Sequence, residues 1–175
     1  MYHVGEKVVY ASEGACVIEA IEEKDYGQEI RDYYRLSPLY HQRSTIYVPV
    51  QNEQKGRLRQ LMSKSSFEEI IEKTALAPAE WINDNKRRQQ YTLEVLKSGD
   101  VTAILLLIKN MLSHQQEKML NSRDKEMLQK AQRLVFSEMA AVYEQEYNDI
   151  ANEIIGKMME SIEQGKNLQQ LVEVE

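Results

Sequence analysis

The sequence predicts an α+β protein, a small antiparallel β barrel followed by an all-α helical bundle. Short runs rich in β-branched and aromatic residues, broken by glycine turns, crowd into the N-terminal third. Past them, apolar residues recur at helical spacing almost to the C-terminus. Between those helical runs stand residues suited to capping.

Residues 7–10 (KVVY) and 16–21 (CVIEAI) read as strands, the first after Gly5 and the second after the Glu13-Gly14 turn. Residues 31–36 (RDYYRL) follow the Tyr26-Gly27 turn, and residues 45–49 (TIYVP) follow a polar loop. Such residues fit a pleated, half-buried surface, and Pro49 is tolerated at a strand end or sheet edge. Candidate core residues are Val8, Tyr10, Val17, Ile21, Tyr34, Leu36, Ile46 and Val48.

Helices take over after the Arg57-Leu58-Arg59 segment. Ser66-x-x-Glu69 is a capping-box pattern, so a short helix is expected from near Phe67. Pro78 suits the first turn of the next, which should run to about Leu96 and end at Gly99. Asp100 can cap a third, from Val101 to about Lys118, whose apolar residues surround it and place it at the bundle centre. Asn121-x-x-Asp124 is a weaker cap for a fourth, and Asp149 can cap a fifth, with the tail after Gly165 expected to fray. The chain divides on this reading into residues 1–62 and 63–175.

Composition narrows the function classes. Among 175 residues, 42% are hydrophobic and 29% charged, which is ordinary for a folded soluble protein. One cysteine, Cys16, excludes an internal disulfide and any multi-cysteine metal site. It lies in an apolar strand and reads as a small core residue rather than a reactive thiolate. The N-terminus lacks a signal-type apolar segment, and no run approaches the roughly 20 apolar residues that span a bilayer. These features predict a soluble, cytoplasmic protein without membrane contact. His3, His41 and His114 are scattered without metal-ligand spacing, and neither a phosphate loop nor a nucleophile elbow is present. The expectation is a non-enzyme with neither cofactor nor metal.

Charge is unevenly distributed. The net charge is −6, but residues 81–133 carry 10 basic and 6 acidic side chains, a local excess of four. Residues 134–175 carry 2 basic and 9 acidic, net −7. Screening beyond about 8 Å lets a local positive patch attract phosphate on an acidic protein. That patch opens on the sole tryptophan in WINDNKRRQQYTLEVLKSGD, residues 81–100. An indole beside clustered cations suits DNA, although a tryptophan capping the bundle core is the alternative.

VGEKVVYASEGACVIEAI, then YYRL, IYVPV, KGRLRQLM, a tryptophan, SGD and a capped helical region form an ordered set. It resembles the CarD (CdnL) family of bacterial transcription regulators over residues 1 to about 145. The N-terminal part also resembles the RNA-polymerase-interacting module of transcription-repair coupling factors. The resemblance implies a Tudor-like β domain bound to the RNA polymerase β subunit and a helical domain on promoter DNA at the upstream edge of the melted bubble. It implies that the open complex is stabilised without enzymatic chemistry.

Site residues follow from the resemblance and the local chemistry. A bent sheet with a free edge near residues 45–49 can take a partner's strand through main-chain hydrogen bonds. Lys24, Arg43, Tyr47 and Arg59 are the polymerase-facing candidates, Tyr47 also being readable as an ordinary outward strand residue. For DNA, Trp81 would abut the minor groove. Lys86, Arg87 and Arg88, expected in the same helix as Trp81, would contact phosphates without reading sequence. Arg123 and Lys125 join them in the first turn of a helix, where backbone N–H groups favour phosphate. Lys97, Lys109 and Lys130 are further cations. The competing class is an adaptor that binds polymerase or another partner without touching DNA.

Overall fold

The structure, a computed structural model, describes residues 1–172 apart from 26, 28, 41–43 and 52–57, with the backbone alone from 167 onward. Among the described residues, five antiparallel strands, β1 (Lys7–Tyr10), β2 (Gly14–Asp25), β3 (Ile30–Pro38), β4 (Ile46–Pro49) and β5 (Leu58–Gln60), precede five helices. Strand order is β4-β3-β2-β1-β5, which places β4 and β5 at the edges of the sheet.

The sheet closes over its own small core of Val8, Cys16, Ile18, Tyr34, Leu36, Val48 and Leu58. Val8, Tyr34, Leu36 and Val48 were expected there, and Tyr10 and Ile46 pack at its margin. Val17 faces the other way, and Ile21, set opposite Tyr34 in the register, is left 41% exposed. Strand side chains alternate, so burying Cys16 and Ile18 turns Val17 outward. A bulge between Ile18 and Ala20 then shifts the register against β3. Cys16 is fully buried, and desolvation with the nearby Glu13 carboxylate pushes its thiol up to about 12.

Helix starts follow the nearest side-chain acceptor. The first helix, α1 (Lys64–Leu76), is capped by Ser63, whose hydroxyl accepts from the Ser66 backbone N–H at 3.1 Å. It therefore begins three residues ahead of the start expected from Ser66-x-x-Glu69, and Phe67 is buried within it. Pro78 lies beyond the C-terminus of α1, and residues 78–84 are not helical. The next helix, α2 (Asn85–Ser98), starts at Asp84, whose carboxylate accepts from the Arg87 N–H at 2.7 Å. The proline thus follows a helix end rather than opening a helix, the other position it favours. Gly99 ends α2 in the left-handed region at φ 69°, as expected.

Asp100 caps α3 (Val101–Glu117) and Asn121 caps α4 (Ser122–Tyr143), both as expected. Helix α5 (Tyr147–Val172) begins two residues before Asp149. It continues past Gly165, where fraying was expected, and Lys166 reaches across to Gln116 at 3.0 Å and Glu117 at 2.9 Å. The bundle core runs from Phe67 through Ile104, Leu105, Ile108 and Met111 of α3 to Phe136, Met139 and Ile154.

The sheet rests directly on α4. Gly14, at φ +85°, sits so close that a Cβ there would lie 2.2 Å from Ser137 Oγ and 3.1 Å from the Arg133 carbonyl oxygen. Only glycine satisfies both the backbone angle and the approach. Next to it, the Ala15 N–H donates to Ser137 Oγ at 3.0 Å. Among the described residues, no helix is long and apolar enough to cross a membrane.

Candidate nucleic-acid interface

Because α2 starts at Asn85, Trp81 lies in the extended segment ahead of it rather than in the same helix as Lys86, Arg87 and Arg88. The indole is half-buried and held between two side chains. The His114 ring of α3 stacks on it with centroids 3.7 Å apart and planes 2° from parallel. The Arg88 guanidinium carbon lies over the ring, 4.3 Å from its centroid. Since the imidazole already lies flat on one face, the guanidinium takes the other. What reaches solvent is the indole edge.

Arg88 is turned inward, with 6% of its side chain exposed, and pairs with Asp124 of α4, exposed 3%. One nitrogen donates to Asp124 Oδ2 at 2.7 Å and Nε to Oδ1 at 3.3 Å. Further donations reach the Ile82 carbonyl at 2.7 Å and Asn85 Oδ1 at 2.5 Å. Its guanidinium is thereby engaged within the protein and unavailable as a phosphate contact, which corrects the sequence expectation. A buried charge needs a partner and filled hydrogen bonds, and the Asp124 carboxylate supplies both.

That ion pair has a geometric result. It ties the first turn of α2 to the first turn of α4, joining two helix N-termini. Lys86 and Arg87 precede Arg88 and are exposed; Arg123 and Lys125 flank Asp124 and are exposed. Four exposed cations thus neighbour the buried pair in sequence, at the helix ends whose dipoles favour anions. Lys97 is exposed and Lys130 half-buried. Lys109 is 2% exposed, with Nζ donating to the carbonyls of Thr74 and Ala75 at 2.9 Å and Ala77 at 2.6 Å. It closes the C-terminal end of α1 from within, and burial pushes its pKa below that of a free lysine.

His114 and Asp124 escaped the sequence reading as site residues. His114 lies 33 positions from Trp81, with no motif to connect them. Asp124 carried a signal as half of the Asn121-x-x-Asp124 pattern, but that signal spoke of a helix cap.

At the other end of the chain, β4 pairs only with β3 among the described strands, leaving one main-chain edge open at Ile46–Pro49. Two of the polymerase-facing candidates meet there. Lys24 Nζ of β2 lies 3.1 Å from the centroid of the Tyr47 ring. Arg43 lies outside the described residues. Arg59 is directed elsewhere: its two terminal nitrogens each lie 2.7 Å from a Glu138 carboxylate oxygen of α4. That engagement gives Arg59 a structural partner, with 38% of its side chain still exposed.

The model of the CarD-like/TRCF RID domain family matches residues 2–62, and that of the CarD, C-terminal domain family matches residues 69–155. YdeB of Bacillus subtilis (strain 168), a proposed transcription factor, is 24% identical over 142 residues. The alignment covers 81% of this chain and 92% of that one.

Proposed function

The chain belongs to the CarD family of transcription factors with an RNA-polymerase-interacting domain, and from that premise we propose a two-ended factor that stabilises the open promoter complex. Residues 1–62 anchor on the polymerase β subunit through the β4 edge, with Lys24 and Tyr47 beside it. Residues 63–175 grip promoter DNA at the upstream edge of the bubble through Lys86, Arg87, Arg123 and Lys125.

The observation that carries the DNA half is the Arg88–Asp124 pair, which joins two helix N-termini whose first turns carry four exposed cations. Phosphate contacts of this kind supply affinity and register without reading bases. Trp81 has both faces covered, so it abuts the duplex by its edge and does not intercalate. Held between His114 and Arg88, the indole is set before DNA arrives, and little side-chain freedom is lost on contact. If the melted promoter binds about 1.4 kcal/mol better than the closed one, the open:closed ratio moves about tenfold.

The test is binding to a forked promoter duplex over a range of salt concentrations. Four phosphate contacts give a log–log slope near −3.6, at about −0.9 per contact on B-form DNA. The variant K86Q/R87Q/R123Q/K125Q should lose most of that slope while keeping its polymerase affinity. A slope unchanged by the four substitutions would leave the adaptor reading, in which the helices never touch DNA.

A further inference from the structure

The two ends of this molecule are joined without a slack linker. Strand β5 ends at Gln60 and Ser63 already caps α1. Across this short junction the sheet is fastened to α4 at two places. Glu138, 1% exposed, accepts both Arg59 nitrogens at 2.7 Å and the Met62 N–H at 2.8 Å. One residue earlier in α4, Ser137 Oγ accepts from Ala15 N–H, with Gly14 pressed against the same turn.

We propose that Arg59, Glu138, Ser137 and Gly14 form a clamp that turns α4 into a rigid arm, setting the distance and angle between the polymerase anchor and the DNA-gripping cations. These are positioning residues; the inference rests on the two-ended reading above. The lever is long. From Glu138 back to Arg123 is fifteen residues, about 22 Å at 1.5 Å per residue of helix. A tilt of about 10° at the clamp would swing the cations by roughly 4 Å, more than the tolerance of a hydrogen bond. Apolar residues could hold the sheet to α4 as stably as a buried ion pair does. A forked guanidinium on a carboxylate that also takes the Met62 N–H adds a fixed direction.

Spin labels at D32C on β3 and Q129C on α4, both exposed positions in the full chain, report this orientation. The native Cys16 is buried and should not label. Pulsed dipolar spectroscopy should give one narrow distance for the otherwise unaltered protein. The variant R59L/E138L keeps the packing apolar, so it should fold, and its distance distribution should broaden. At saturating concentration of this variant, the open-complex lifetime should fall about fivefold, while its affinities for polymerase and for forked duplex stay near those of the unaltered protein. A lower plateau rather than a higher half-saturation concentration separates lost positioning from lost binding.

A broad distribution in the otherwise unaltered protein, or a narrow one in R59L/E138L, would overturn the clamp. So would an unchanged lifetime in a variant whose distribution has broadened. The K86Q/R87Q/R123Q/K125Q variant keeps the two failures apart, since it should shorten the lifetime with the narrow distance preserved. Should it leave the lifetime unchanged, the DNA reading fails, and the distance measurements still decide whether the clamp exists.

Discussion

Replacing Arg88 with methionine removes the cation from a carboxylate that has almost no access to water. Asp124 would keep only the Asn121 side-chain donation to Oδ2, at 2.7 Å, and lose both guanidinium bonds. The carbonyl of Ile82 and Asn85 Oδ1 would lose their donor as well. Breaking a buried pair from one side costs about 3–5 kcal/mol, because the surviving charge is left without compensation. For a chain of this length that is a fall in melting temperature of roughly 10 °C. The Arg88→Met/Asp124→Leu double variant removes both charges and should recover most of the loss. Denaturant unfolding of the three proteins supplies the comparison, with equal m-values confirming that the same surface is exposed. If Arg88→Met alone falls within about 1 kcal/mol of the unaltered protein, the pair is not the tie between the two helices, and the cation cluster around it has no fixed geometry.

Lys109→Met should cost roughly 2 kcal/mol in the same unfolding measurement, since three carbonyls at the end of α1 lose their charged donor. Cys16 should resist alkylation at pH 8 in the native protein and react on unfolding, as followed by mass spectrometry. Its thiol ionises near 9.0 when unfolded and is pushed up to about 12 in the fold. The contribution is therefore fully present below pH 9 and declines as pH rises toward 12, by up to about 1.4 kcal/mol per pH unit. The Cys16→Ala variant should lack that part of the alkaline decline. Gly14→Ala should destabilise the sheet–helix contact strongly, because the added Cβ meets backbone carbonyls as well as the Ser137 hydroxyl. Hydrogen exchange at the Ala15 amide, which should speed up, reports it.

Local chemistry was legible where a single short pattern decides the outcome. Gly99 and Asp100 mark one helix end and the next start, and the apolar surround of α3 puts it at the centre. Where two patterns compete, the sequence is ambiguous. Ser63 and Ser66 both offer a cap, and the outer one won; Pro78 suits both the start of a helix and the residue after one. Strand propensity does not say which alternate set of β2 faces inward, so Val17 is expected in the core where Cys16 and Ile18 sit instead; Ile21, opposite Tyr34 past the bulge, stays 41% exposed. Charge alone marked residues 86–88 as a patch, yet only packing distinguishes Lys86 and Arg87, which are exposed, from Arg88, which is buried. Arg59 shows the same limit, since its partner Glu138 lies 79 residues away. Long-range pairs such as Trp81–His114 and Arg88–Asp124 exist only once the helices have packed.

The central claim, that the helical part holds melted promoter DNA while the sheet is anchored on polymerase, is tested most directly by open-complex lifetime. Complexes formed on a linear promoter are challenged with a competitor and their decay followed with the unaltered chain, the K86Q/R87Q/R123Q/K125Q variant, or neither. The unaltered chain should lengthen the lifetime, and the variant, bound to polymerase to the same extent, should return it close to the value without factor. Equal lifetimes for the two proteins at equal polymerase occupancy would contradict the account.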